Sequence, residues 1–260
     1  MKKISFKAIS KNAMMAVALL AVCIPMQTWA QKKLTLKDCV DTFDERRVEP
    51  NATGWAYWFI PAGGVADTLS VKMSMVDKGV KTHDPHSHFE DELFYMVEGE
   101  AIVRLNDEEQ RLRPGDAFYA PATSWHNIRR TDMNQRIRYV MFKREFKGKL
   151  DKPFLPGKKD YKMVDCYVLY SKANPLWYLT KEMSGNGMTA ERIKTSKKQQ
   201  VKKATKQAVY FLLKGEARVS LNGEQCTVRP LTSVYVPKGA TFSIRPNGKE
   251  ALEYILVHTE

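Results

Sequence analysis

The chain has 260 residues, 43% hydrophobic and 27% charged, with a net charge of +13. That length holds one large or two small domains. The composition is that of an ordinary globular protein and excludes a fibrous or largely disordered one.

Lys2, Lys3, Lys7 and Lys11 open the chain, and the apolar run "AMMAVALLAVCI" (Ala13 to Ile24) follows, broken by Pro25 and ending at the small residue Ala30. Such a run is short for a bilayer span and has the build of a secretory signal. Residues 1–30 are therefore read as a signal peptide cleaved after Ala30, and the mature protein as exported, periplasmic or extracellular, with no transmembrane segment. Lipidation at Cys23 is the rival reading; Val22 argues against it, because that processing favours a small residue there. Four lysines and no acid leave with the segment, so the net charge falls from +13 to +9. Cys39, Cys166 and Cys226 remain. An odd number cannot pair completely within the chain, and the sequence does not choose partners.

The mature part reads as strands. "DTLSVKMSMV" sets Leu69, Val71, Met73 and Met75 on alternate positions, the period of a half-buried strand. "ELFYMV", "AIVRL", "AFYAP" and "RYVMFK" follow, rich in β-branched and aromatic residues and separated by turn signals such as Glu98-Gly99 and Pro114-Gly115. Leu93–Ile128 aligns without a gap on Val209–Ile244 at an offset of 116, with 12 identities in 36 positions. This is a domain-sized repeat. A Lys-, Pro- and Gly-rich stretch, residues 147–162, separates the copies, so the boundaries fall at 31–148 and 149–260. Short strands at regular spacing predict an all-β sandwich or barrel for each. Faces such as Leu93/Tyr95/Val97 would be buried against the second copy or in a homodimer.

Between the first two strands lies "HDPHSHFEDE". Alternation on an extended segment puts His86 and His88 on one face. Glu92 shares the face of Phe94 and Met96, and His126 closes a later strand. Three imidazoles and a carboxylate converging inside a small barrel suit one divalent transition ion: Mn, Fe, Zn, Ni or Cu. His83 is read as a loop or outer-sphere residue, with Asn127 beside a ligand. Glu90 and Asp91 read as solvated turn carboxylates. Trp125 is weighed as a wall of the ligand pocket and Arg129 as a partner for a substrate carboxylate. At the repeat offset His86, His88, Glu92 and His126 become Lys202, Ala204, Ala208 and Phe242, so the second copy keeps no ligand.

These residues carry a resemblance. His86, His88, Glu92 and Gly99 match the first motif of the cupin superfamily, G-x5-H-x-H-x3-E-x6-G, and Gly115, Pro121 and His126 match the second, G-x5-P-x-G-x2-H-x3-N. Gly79 is one residue out of place, Thr123 stands for a glycine and Arg130 for the asparagine. The resemblance implies two tandem jelly-roll barrels, a bicupin, with metal on His86, His88, Glu92 and His126 of the first only. It further implies a metal-dependent isomerase, lyase or hydrolase for a small oxygenated or acidic molecule such as a uronate, or a dioxygenase. The alternative is a non-catalytic protein that binds a small molecule or carbohydrate with the help of metal.

"RIKTSKKQQVKKATK" (Arg192 to Lys206) carries seven basic residues and no acid. It reads as a solvated strand edge or as a patch for an acidic polymer. No aromatic is interleaved, so base stacking and nucleic acid are not expected.

Overall fold

The computed structural model describes residues 34–66, 68–150, 153–157, 167–169, 177–181, 183–184 and 187–259. The signal segment, Cys23 and Cys166 lie outside them. Cys39, which is buried, and Cys226 are both free thiols, and burial pushes Cys39 up to about 12. No helix among the described residues is long and apolar enough to cross a membrane.

The regular structure of the described residues is nearly all strand. In the first half a seven-stranded sheet runs in the order 167–169, 117–120, 90–98, 137–145, 69–76, 54–60, 49–51. It faces a three-stranded sheet of residues 108–112, 101–105 and 126–130. In the second half a six-stranded sheet (40–42, 232–236, 207–214, 252–259, 188–195, 177–179) faces a four-stranded one (199–201, 242–246, 217–221, 224–228). Every pairing is antiparallel. Each half is thus a two-sheet barrel closed round its own core.

Chain order and barrel membership part company at two edge strands. Val40–Thr42 precedes the first barrel yet pairs with Thr232–Val234 of the second. Tyr167–Leu169 follows the first barrel yet pairs with Ala117–Tyr119 inside it. Each large sheet is extended by a strand from beyond its own half, which covers an edge that would otherwise expose unpaired backbone groups.

Where the core sits explains the strand patterns. Phe94, Met96, Val103, Phe118, Ile128, Tyr139 and Met141 fill the first barrel. Leu69, Val71, Met73, Leu93, Tyr95, Val140 and Phe142 alternate with them and form one apolar layer with Val209 and Phe211 of the second barrel. Phe59 and Phe142 both meet the Phe211 ring edge-on, at 5.2 and 6.0 Å. Leu93 and Tyr95 are therefore buried against the second copy. The regular alternation of Leu69 to Met75 marks this joint between barrels; Ser70, Lys72 and Ser74 face the first barrel's interior.

The repeat extends to backbone geometry. Positive φ recurs at the offset of 116 in Gly99/Gly215 (74° and 75°), Asn106/Asn222 (52° and 51°), Gly115/Leu231 (98° and 61°) and Thr123/Gly239 (65° and 87°). Thr123, where the cupin motif carries glycine, adopts the left-handed conformation despite its branched side chain. At Gly99 a side chain has no room as well, since a Cβ would collide with the Arg136 carbonyl oxygen, whereas nothing lies near a Cβ at Gly223. Gly99→Ala should therefore cost about 2 kcal/mol or more in urea unfolding, and Gly223→Ala, which carries only the backbone penalty, about 1 kcal/mol.

Candidate metal centre

The site is made where two sheets of the first barrel meet. His86 and His126 face each other in an antiparallel bridge and exchange both backbone hydrogen bonds, at 3.0 and 2.9 Å. The Thr123 N–H donates to the His88 carbonyl at 2.7 Å, so the left-handed turn at Thr123 fixes the second histidine. Glu92 comes from the large sheet, between Ala120 and Lys143. One nitrogen from each of His86, His88 and His126 lies within 4.8 Å of the others. Glu92 Oε2 lies 3.1 Å from His126 Nε2 and 3.4 Å from His88 Nε2.

The donor set fits a cation. His126 Nδ1 lies 3.0 Å from the Ser124 carbonyl oxygen, which can only accept. Nδ1 therefore carries a proton, and Nε2 faces the Glu92 carboxylate. Nε2 and a carboxylate oxygen at 3.1 Å must share a positive charge between them, a proton or a metal ion. His86 Nδ1 and both nitrogens of His88 are buried with no hydrogen-bond partner among the described residues, a condition native structures rarely leave unexplained. Burial and the neighbouring imidazoles push His86 down to about 4, so it stays neutral and able to ligate. Burial alone would raise Glu92; the His126 and His88 rings beside it and the Lys143 ammonium outweigh it and hold the carboxyl well below the usual range.

Charged groups round the site differ from the expectations. Asp91 is not a solvated turn residue: it is 2% exposed and takes Arg144 at 2.8 Å, the Tyr119 hydroxyl at 3.1 Å and the Ala122 N–H at 3.0 Å. Glu90 is not free either, with Oε2 3.2 Å from Lys143 Nζ and 3.4 Å from His88 Nδ1. His83 is exposed, its ring edge-on to His86 at 4.4 Å. Arg129 is exposed and paired with Glu109 at 2.8 Å, and alternation along its strand turns it and Asn127 away from the imidazoles. Arg130, buried, donates to the Asp77 and Val80 carbonyls and so ties down the loop before His83.

Two residues that the sequence reading passed over stand at the site. Lys143 Nζ lies 2.7 Å from Glu92 Oε1. Burial would lower this ammonium, but Glu92 and Glu90 outweigh it and push it up. Lys72 faces the same interior, 5.1 Å from the Trp58 ring centroid, in a favourable cation–π contact. It has no ion pair among the described residues, and burial together with the Lys143 charge holds its ammonium down. A cavity of about 380 Å³ adjoins Lys143, lined also by Glu90, Ser70, Glu145 and Phe89 among others; Lys72, Trp125 and Arg129 do not border it. In the second barrel the equivalent space is packed: Ala204, Ala208 and Phe242 are buried, and Phe242 lies against Tyr210 with centroids 4.5 Å apart.

Residues 72–142 match the family model of the cupin domain. Among solved structures, a two-residue deletion variant of Bacillus subtilis oxalate decarboxylase is similar, with TM-score 0.66, 13% identity, and 87% of this chain and 78% of that one covered. So is a form of the same enzyme studied for its Mn(II) centres, with TM-score 0.65, 14% identity and the same coverage. At such identity the likeness is one of fold. A sequence search of curated proteins finds no match.

Acid sensitivity follows from the imidazoles. Between about 6.5, the ordinary value, and about 4, the unfolded chain takes a proton at His86 that the folded chain refuses, so stability falls as pH falls through that window. Glu92, depressed in the fold, acts in the same direction at lower pH. With metal chelated, the melting temperature should drop between pH 7 and pH 4, and His86→Asn should flatten the upper part of that drop. A slope unchanged in the variant would place the effect elsewhere.

Proposed function

With a cupin domain at residues 72–142 and a bicupin fold around it, we propose an exported enzyme that uses one divalent ion to transform a small carboxylic acid, of the dicarboxylate or uronate kind. The observation that carries this is the juxtaposition, in one barrel mouth, of unpartnered imidazole nitrogens, Glu92 and two lysines. His86, His88, His126 and Glu92 would hold the ion, which when bound supplies Lewis acidity toward a carboxylate or carbonyl oxygen. That a protein of the same fold is named for oxalate and has Mn(II) centres supports both the substrate class and Mn as the first metal to test.

The chain's own groups do the rest. Lys72 has no anionic partner at hydrogen-bonding distance among the described residues and sits half-buried against Trp58, so it is free to take a substrate carboxylate. Lys143 is already bound to Glu92 and Glu90; it anchors the ligand carboxylate and offers its remaining N–H to the cavity. Glu90 lines that cavity and, being partly exposed, is the group that takes and returns a proton beside the bound acid. Phe94, edge-on to the His126 ring and backed by Phe118, is buried and keeps water from the far side.

Purified mature protein should carry about one metal ion per chain, and His88→Ala combined with Glu92→Gln should remove it. A double variant with full metal content would refute the site. Lys72→Met should keep the metal and raise KM for small carboxylates by roughly tenfold, about the contribution of one charge-assisted hydrogen bond. The measurement is steady-state turnover of oxalate, other dicarboxylates and unsaturated uronates with Mn(II). Metal retained with no turnover of any acid would favour a binding protein.

A further inference from the structure

The second barrel has no ligand set, but its outer face is unlike that of the first. Its four-stranded sheet places Arg218 directly opposite Arg245, and Lys198 leads into the neighbouring strand, where Gln199 pairs with Ile244. Like charges facing across strands are destabilising unless something neutralises them. Among the described residues no carboxylate lies within ion-pair distance of Lys198, Arg218 or Arg245. The Arg218 guanidinium donates instead to Gln225 Oε1 at 3.0 Å, a neutral partner that orients it without cancelling its charge.

The first copy is the control. At the offset of 116 Arg245 corresponds to Arg129, which is paired with Glu109 at 2.8 Å; that glutamate becomes Gln225. Asp107, 3.7 Å from Arg104, becomes Gly223, and Ile102 becomes Arg218. The same face is self-neutralised in one barrel; in the other Arg104, replaced by Ser220, has gone with Asp107, but Arg245 has lost its carboxylate and Arg218 is added without one. A groove of about 520 Å³ runs over it, bordered by the three cations and by Ser220, Ser243 and Gln225.

We propose that this face binds a linear acidic polysaccharide, its carboxylates on Lys198, Arg245 and Arg218. Neighbouring strands lie about 4.8 Å apart, so the row spans roughly 10 Å across three strands, suited to successive acidic sugars of an extended chain. Hydroxyl and amide side chains between the cations match sugar hydroxyls. No exposed aromatic borders the groove to stack a base, and no exposed apolar side chain is there to enter a bilayer. The site is independent of the metal centre and does not rest on its reading.

The test is calorimetric titration of the mature protein with oligogalacturonate of defined length, a neutral glucan oligomer of the same length, oligo-dT, and phosphatidylserine vesicles. Oligogalacturonate should bind with an affinity that falls as salt rises; the neutral glucan should not bind. Arg218→Gln with Arg245→Gln should weaken binding roughly tenfold or more, the size of losing charge-assisted contacts. Gln225→Glu, which restores the carboxylate of the first copy on an exposed surface, should weaken it as well while leaving the melting temperature unchanged or slightly raised. Unchanged affinity in Gln225→Glu and in the double variant overturns the proposal. So does equal or tighter binding of oligo-dT or vesicles.

Discussion

A carboxylate 3% exposed in an apolar barrel is the constraint on which the first half of the molecule depends. Leaving Glu92 ionised there without compensation would cost far more than a domain's margin of stability. Everything near it is compensation: His126 and His88 on one oxygen and Lys143 on the other. The imidazole nitrogens and this carboxylate converge at 3.1 and 3.4 Å, which leaves a place for a cation. In the second barrel Glu92 becomes Ala208, and the histidines have become Lys202, Ala204 and Phe242. One change removed the need for the others, and the space closed with Phe242 on Tyr210.

The same constraint ties the candidate metal site to the joint between barrels. Glu92 points inward and Asp91, its neighbour, outward, because successive side chains on a strand alternate. The adjacent strand answers both in register: Lys143 lies opposite Glu92, and Arg144 opposite Asp91. Asp91 also receives the Tyr119 hydroxyl, which reaches the Ser184 carbonyl from the second half. Arg192 and Trp177, both from the second half, donate to the Gly115 carbonyl at the start of the second motif. The second barrel thus buries the back of the sheet whose front carries Glu92, and a shift of that sheet would move ligand and joint together.

How legible was this? The convergence of four residues in the first barrel was readable because their spacing is local: His86, His88 and Glu92 lie within seven residues, and His126 follows a recognisable turn. The second copy supplied a comparison within one chain. What the sequence hid was direction. Leu69, Val71, Met73 and Met75 mark the buried face of a strand, but in this molecule both faces are buried, and the more regular one meets the other barrel. The polar side then reads as solvent, and Lys72 with it. Lys143 was hidden for the same reason, in a strand apolar on both faces. Asp91 could be read as buried only once Arg144 was known to lie opposite it, and that register is set by a pairing 53 residues away in the chain.

The two copies show what duplication allows. A single barrel must bury its large sheet's outer face or expose it, and here each copy buries the other's. Once joined, they are no longer under the same demand. The first keeps the mouth polar and the small sheet neutral outside, through Arg129–Glu109 and Arg104–Asp107. The second fills the mouth with aromatic side chains and leaves its small sheet charged. A self-repelling row of cations lowers stability, so a purely supporting barrel would be expected to neutralise it as its twin does. The row sits on the barrel that holds Phe242 and Ala208 where the first holds His126 and Glu92, so the charge there lies on the small sheet's outer face and not inside the barrel.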